Sequence, residues 1–154
     1  MAVSADGIRV LLEESGALKL FDVATGTSSR IPVANWPRNA AFSRSGSTLV
    51  VAESDAVVAH PTKNPEVSIR RIDVNGVRAV ALSDEIVAYG TAAGGVWGAR
   101  LDGSPPARLA LGQASVSALA FSPGGDRVIA GFEDGNVKSA SRLAATERSR
   151  RPAG

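Results

Sequence analysis

The chain has 154 residues, of which 44% are hydrophobic and 21% charged, and this balance excludes an intrinsically disordered protein. It contains no cysteine, which excludes disulfide bonds, thiolate zinc sites and thiol nucleophiles. The net charge of +2 arises from residues 142–154, which hold four arginines against one glutamate, so residues 1–141 are nearly neutral and nucleic acid is not the expected partner.

The N-terminus lacks the basic and apolar regions of a secretory signal. No stretch of the chain reaches the roughly 18–20 consecutive apolar residues of a membrane-spanning helix. We therefore expect a cytoplasmic protein that does not enter a membrane, and we expect the basic segment 142–154 to be a disordered tail.

One short phrase recurs four times along the chain: an apolar residue, a serine and then a turn. The serines follow one another at intervals of 39, 40 and 39 residues, at Ser4, Ser43, Ser83 and Ser122. Each phrase is followed by an apolar run, a second turn and another short apolar run. The first runs are 10–12, 49–52, 87–89 and 128–130, and the second are 18–21, 57–59, 96–98 and 137–139. Each unit is therefore predicted to be a β-meander.

A further strand is predicted before the serine phrase of each later unit, at 29–34, 67–72 and 107–111. Four short strands repeated every 39 or 40 residues are what one blade of a β-propeller requires. The sequence predicts an all-β partial β-propeller of about four blades, each a four-stranded antiparallel meander, with the first and last blades incomplete. The predicted units are 1–28, 29–66, 67–105 and 106–141.

Two segments resemble the WD-repeat family of β-propellers. Residues 121–126, FSPGGD, are similar to the turn between the first two strands of a WD repeat. Residues 16–26, GALKLFDVATG, are similar to its third strand and the corner that leads to the fourth, with Phe21 and Asp22 in place of the Trp-Asp pair. The repeats are degenerate, because the other units lack this pair and no unit has the Gly-His dipeptide. The resemblance implies a protein-interaction disc.

WD-repeat rings are usually larger than about three and a half blades. The sequence leaves three completions open: a fragment of a larger propeller protein, a half-propeller that pairs with itself or another chain, and a small four-bladed closure. In the first two cases an apolar sheet face at each end would favour association.

The resemblance implies that partners bind the loops leading into each first strand. The candidate partner-binding residues there are Trp36, Arg38 and Arg78, because aromatic and arginine side chains are common interaction hot spots. Trp97, inside a strand, is expected to pack between blades instead.

No residues suggest catalysis, a cofactor or a metal site. The single histidine, His60, is expected at a strand edge or in a loop, and the four repeated serines are expected to cap turns. We expect a non-enzymatic protein-interaction scaffold within a larger propeller or multidomain protein. The alternatives are the sensor or regulatory propeller of a multidomain ATPase, kinase or protease, and a small-ligand-binding or lyase-type propeller enzyme.

Overall fold

The computed structural model describes residues 2–35 and 37–141 of the chain. Regular secondary structure in these residues consists of fifteen short strands in four antiparallel sheets. The prediction of an all-β partial propeller of about four blades is confirmed. Within the described residues the last blade is incomplete, with three strands, whereas the first blade has four, the first of which is only two residues long. Among residues 2–35 and 37–141, no helix has the length and apolar character needed to span a bilayer.

Each sheet is a meander in which strands adjacent in sequence are adjacent in space, and we call the sheets blades 1 to 4. Blade 1 contains β1 (Ala2–Val3), β2 (Arg9–Glu14), β3 (Ala17–Asp22) and β4 (Thr27–Ile31). Blade 2 contains β5 (Asn39–Phe42), β6 (Thr48–Ala52), β7 (Ala56–Pro61) and β8 (Arg70–Asp73). Blade 3 contains β9 (Val77–Leu82), β10 (Ile86–Thr91), β11 (Gly95–Arg100) and β12 (Ala107–Leu111). Blade 4 contains β13 (Val116–Phe121), β14 (Arg127–Phe132) and β15 (Val137–Ser141).

The structure groups the strands differently from the predicted units. The strands expected at 29–34, 67–72 and 107–111 are predicted to start the following unit. As β4, β8 and β12 they instead pair with the third strand of the preceding blade. The reason is that a strand can fold back directly onto the one before it, whereas the segment after it must pass to the next blade. Blades 2 to 4 therefore begin one strand later than the predicted units, and blades 1 to 3 end one strand later.

The repeated serines cap the turn between the first two strands of each blade, as predicted. The Oγ of Ser4 accepts a hydrogen bond from the backbone N–H of Arg9 at 2.9 Å, and that of Ser43 does the same for Thr48 at 3.1 Å. The other two serines repeat this contact in blades 3 and 4. The hydroxyl satisfies an amide that the tight turn leaves free, which explains why the phrase recurs.

The apolar core lies between blades. Three clusters join blade 1 to blade 2, blade 2 to blade 3 and blade 3 to blade 4. Trp97 is half-buried and packs against the cluster between blades 2 and 3, as predicted. Since each buried Val or Leu contributes roughly 1.5–3 kcal/mol, these interblade faces stabilise the fold.

Blades 1 and 4 each leave one face open. Ile129 on β14 is 44% exposed and Leu12 on β2 is 37% exposed, whereas β6 and β10 are buried along their whole length. This exposure disagrees with the four-bladed closure, in which blade 1 would cover blade 4.

Candidate partner-binding site

The described parts of the connections between blades, residues 32–35, 37–38, 74–76 and 112–115, reach one end of the molecule, which we call the upper end. Arg38 closes the first connection, and its backbone N–H donates to the carbonyl of Ala52 on β6 at 2.8 Å. Arg78 is the second residue of β9, and its side chain is exposed although the rest of that strand is buried. The blade architecture thus brings both arginines to the same end.

Arg38 and Arg78 line one pocket of about 500 Å³ together with Pro37, Ser54 and Val77. Two of the three residues predicted from the sequence are therefore neighbours across the junction of blades 2 and 3. The third, Trp36, lies outside the described residues.

Neither Arg38 nor Arg78 has a salt bridge or a side-chain hydrogen bond within residues 2–35 and 37–141. Other arginines are engaged: the Nε of Arg71 lies 2.9 Å from a carboxylate oxygen of Asp73, and Arg70 donates to the carbonyl of Ser104 at 2.9 Å. The pocket lining holds no carboxylate. The two guanidinium groups therefore make the pocket attractive to an anionic group, for which arginine offers a planar set of donors.

Glu53 fixes the loop that leads to Arg38. It lies just after β6, its side chain is 1% exposed, and its carboxylate accepts hydrogen bonds from the backbone N–H groups of Ala34 and Asn35 at 3.2 and 3.1 Å. The side-chain amide of Asn35 donates to Asp55 at 2.9 Å. Two acidic residues of the β6–β7 turn thus hold the connection from blade 1 against blade 2.

Sequence reasoning missed Glu53, because acidic residues near hairpin tips are usually solvated. The available signal was its position directly after the apolar run 49–52, where a buried carboxylate needs backbone donors. Asp55, in contrast, is only partly buried, and it also lies 3.9 Å from Arg71.

The sequence predicts His60 at a strand edge or in a loop. The structure instead places it within β7, with 1% of its surface exposed. It pairs with Leu49 of β6 one residue before the end of β7, and the β7–β8 connection lies close to its ring. Burial lowers its pKa below 6.5, and the backbone of Pro65 and Val67 and the charge of Glu53 oppose this decrease. Even so, neither ring nitrogen has a hydrogen bond of ordinary geometry.

Among the described residues, no group of three or more His, Cys, Asp or Glu side chains is arranged to hold a metal ion. A second pocket, of about 440 Å³, lies against blade 1 and includes Arg30 and Glu66 in its lining. Arg30 is exposed and, within the described part of the chain, has no side-chain partner. It therefore offers a matched control for the arginines of the candidate site.

Comparison with known proteins supports the fold alone. No family model matches the chain, and a search of curated proteins finds no match. Among solved structures, the chain is similar to Kuenenia stuttgartiensis hydrazine synthase, with a TM-score of 0.75 and 16% sequence identity. The match covers 94% of this chain and 46% of that chain.

The architecture is also widespread, since 1056 solved chains match, so the likeness does not select a function. The resemblance to the WD-repeat family stays a prediction. The comparisons and the sheet topology together establish a partial β-propeller.

Proposed function

We propose that this chain is a non-catalytic protein-interaction scaffold that binds an acidic segment of a partner protein in the pocket between Arg38 and Arg78. The observation that carries the proposal is the pair of exposed arginines, contributed by adjacent blades, that line one pocket and have no acidic partner among the described residues. Trp36, next to Pro37 in the sequence, remains the third proposed contact.

The proposed mechanism is recognition by a preformed surface. Glu53 and Asp55 hold the connecting loop, so little ordering of that loop would accompany binding. A carboxylate entering the pocket would accept charge-assisted hydrogen bonds from one or both guanidinium groups. Each such bond contributes about 1.5–3 kcal/mol, and its strength decreases with salt because the site is open to solvent.

An array of immobilised peptides tests this proposal. Each acidic peptide, with Asp or Glu at two or more positions, is paired with an isosteric control that carries Asn or Gln there. We expect the protein to bind a subset of the acidic peptides and to bind their amide counterparts more weakly. Binding should also weaken between about 0.05 and 0.5 M salt, as the Debye length shortens.

Three single substitutions then locate the site. Arg38→Ala and Arg78→Ala should each weaken binding of the best acidic peptide about tenfold, which corresponds to roughly 1.4 kcal/mol. Arg30→Ala removes the same charge from a different pocket and should leave binding unchanged. Equal binding of acidic and amide peptides, binding of no acidic peptide, or equal loss in all three variants would contradict the proposal.

A further inference from the structure

Blades 1 and 4 expose sheet faces whose counterparts inside the molecule are buried. Ile129 pairs with Ala120 across blade 4, just as Val50 pairs with Ala41 in blade 2 and Ala88 with Ala81 in blade 3. At this shared register Val50 and Ala88 are each 0% exposed, whereas Ile129 is 44% exposed. The difference arises because blades 2 and 3 are followed by another blade within the described chain.

The open face of blade 4 has the composition of a face that receives another blade. Its small and aliphatic residues are Ala118, Ala120, Ile129, Gly131 and Val137, and Arg127 and Ser139 lie on the same face. The same positions of blade 3 hold Ala79, Ala81, Ala88, Gly90 and Val96, and most of these pack against blade 4 in one cluster.

The pattern includes one glycine in each blade, Gly90 in blade 3 and Gly131 in blade 4, where a neighbouring blade can approach the backbone closely. Gly90 allows Val116 of blade 4 to lie directly against the backbone of β10, because a Cβ at Gly90 would overlap the Val116 side chain. Gly131 occupies the same register on the open face of blade 4, opposite Ala118 as Gly90 is opposite Ala79. There the nearest atom to an added Cβ is 3.5 Å away and belongs to blade 4 itself.

The open face of blade 1 has the opposite character, that of a face that packs onto a preceding blade. Val10 is the second residue of β2 and pairs with Val3, the last residue of the first strand. Leu49, Val87 and Val128 occupy the same position in blades 2, 3 and 4. Those three residues are 0%, 1% and 1% exposed and lie in the clusters with the preceding blade. Two residues further along, Leu12 is 37% exposed, whereas Val51 and Tyr89 are 0% and 3% exposed.

We propose that the open face of blade 4 in one copy of this chain packs against the open face of blade 1 in a second copy. One chain carries one face of each type, so a second copy supplies the missing neighbour of both terminal blades at once. A twofold axis then makes the two contacts identical and closes the assembly. With four blades in each chain, the ring has eight, which lies within the usual range of 4 to 8.

The charges on the two faces permit this contact. On blade 4 the guanidinium of Arg127 is held by the hydroxyl of Ser139, with Nη2 to Oγ at 2.7 Å. On blade 1 Lys19 and Glu14 form a salt bridge with each other at 2.5 Å. The proposal is independent of the acidic-peptide site, because that pocket lies between blades 2 and 3.

Sedimentation and light scattering between about 1 and 100 µM test the proposal, because a dimer with a micromolar Kd changes from partly dissociated to mostly associated over that range. We expect a species of twice the 15.7 kDa chain mass that dissociates on dilution. A folded monomer at every concentration, or an assembly that grows without limit, would overturn the closed two-chain ring.

Introducing a charge at the contact distinguishes this pairing from other dimers. Ile129→Glu and Leu12→Lys should each weaken dimerisation by about 100-fold or more, because a charge would be buried opposite an apolar face. Val23→Glu changes an apolar residue of the β3–β4 turn that is 54% exposed, more than Ile129 or Leu12, and should have no effect.

Mixing the two variants provides the decisive measurement. In a mixed ring one contact is unaltered, and the other places the introduced glutamate of one chain against the introduced lysine of the other. Heterodimers should therefore form where neither variant dimerises alone. A misfolded variant would not be restored in this way, and circular dichroism checks each variant separately. Failure of the mixture to associate, with both variants folded, would overturn the proposed pairing of blade 4 with blade 1.

Discussion

Glu53 carries a carboxylate that is almost completely buried at the end of β6 and binds two backbone amides of the loop before Arg38. Glu53→Ala removes the acceptor of both hydrogen bonds. Because hydrogen bonds to charged groups contribute about 1.5–3 kcal/mol, we expect a loss of unfolding free energy of about that size. Urea denaturation measures it, and the release of the loop should also weaken binding of an acidic peptide.

Glu66→Ala is the matched control for this substitution. Glu66 is exposed in the connection between β7 and β8, so its removal should change the unfolding free energy by less than about 0.5 kcal/mol. Equal effects of the two substitutions would show that Glu53 does not hold the loop.

His60 predicts a dependence of stability on pH. Burial lowers its pKa below 6.5, so as the pH falls through 6.5 the unfolded chain binds a proton before the folded chain does. Stability should therefore decrease between about pH 7 and pH 5, and it should be insensitive to this residue above pH 7.5 or so. Hydrogen bonds from serines lower the pKa values of Asp6, Asp84 and Asp102 below 3.8. The stability that these carboxylates contribute is present at neutral pH and is lost only in more acidic solutions, so it does not change between pH 7 and pH 5 or so.

His60→Leu tests this assignment, because His60 is the only histidine of the chain. Urea midpoints measured at half-unit intervals should decrease from pH 7 to pH 5 in the wild type and stay level in the variant. At pH 7.5 the variant should be at least as stable, since leucine replaces a ring whose two nitrogens lack hydrogen bonds. An unchanged slope in the variant would assign the pH dependence to other groups.

Gly90 in β10 lies directly against the Val116 side chain of blade 4. Gly90→Ala would place a methyl group within the volume of the Val116 side chain, and overpacking of this kind costs about 1–3 kcal/mol. Gly131→Ala is the control at the same register of β14, where the nearest atom is 3.5 Å away. Its effect on a monomeric sample should be below about 0.5 kcal/mol. Similar losses in both variants would attribute the effect to the strand rather than to the contact between blades 3 and 4.

The sequence predicts the individual strands well because the determinants of each strand are local. The serine at each turn binds an amide five or fewer residues away, and the apolar runs that follow become β2, β6, β10 and β14. The local sequence of a strand does not determine which other strand it pairs with. Residues 27–31 are compatible with either blade 1 or blade 2, and only the sheet topology joins them to β3.

The candidate site was predicted in part for the same reason. The resemblance to the WD-repeat family implies that partners bind the loops leading into each first strand, and Arg38 and Arg78 are at those positions of two successive repeats. Glu53 was missed because its role depends on amides 18 and 19 residues earlier in the chain. The burial of His60 is not predictable from the local pattern, because the groups near its ring include the backbone of the later β7–β8 connection, at Pro65 and Val67.

At the scale of the whole molecule, blades are joined not only through the apolar clusters but also at the end opposite the upper end, where the turns between first and second strands lie. The turn of blade 1 reaches blade 2 through Arg9, which donates to the carbonyl of Gly46 at 3.3 Å. Ser45 of blade 2 donates its hydroxyl to Asp84 of blade 3 at 2.6 Å. Arg44 donates to the carbonyl of Pro123 in blade 4. Blade 2 is therefore connected to all three other blades, which favours opening from the terminal blades inward.

Amide hydrogen exchange can measure this gradient. The second strands β2, β6, β10 and β14 are the proper comparison, because each lies between two strands of its blade. In β2 the comparison is limited to Val10 and Leu11, the residues that pair with β1 as well as with β3. Opening blade 1 or blade 4 separates one apolar interface, whereas opening blade 2 or blade 3 separates two. In monomeric samples we expect amides of β6 and β10 to exchange at least about tenfold more slowly than those of β2 and β14. At concentrations that favour the two-chain ring this difference should diminish, since β2 and β14 then also have a neighbour on each face. Uniform protection in the monomer would instead show that the four blades open as a single cooperative unit.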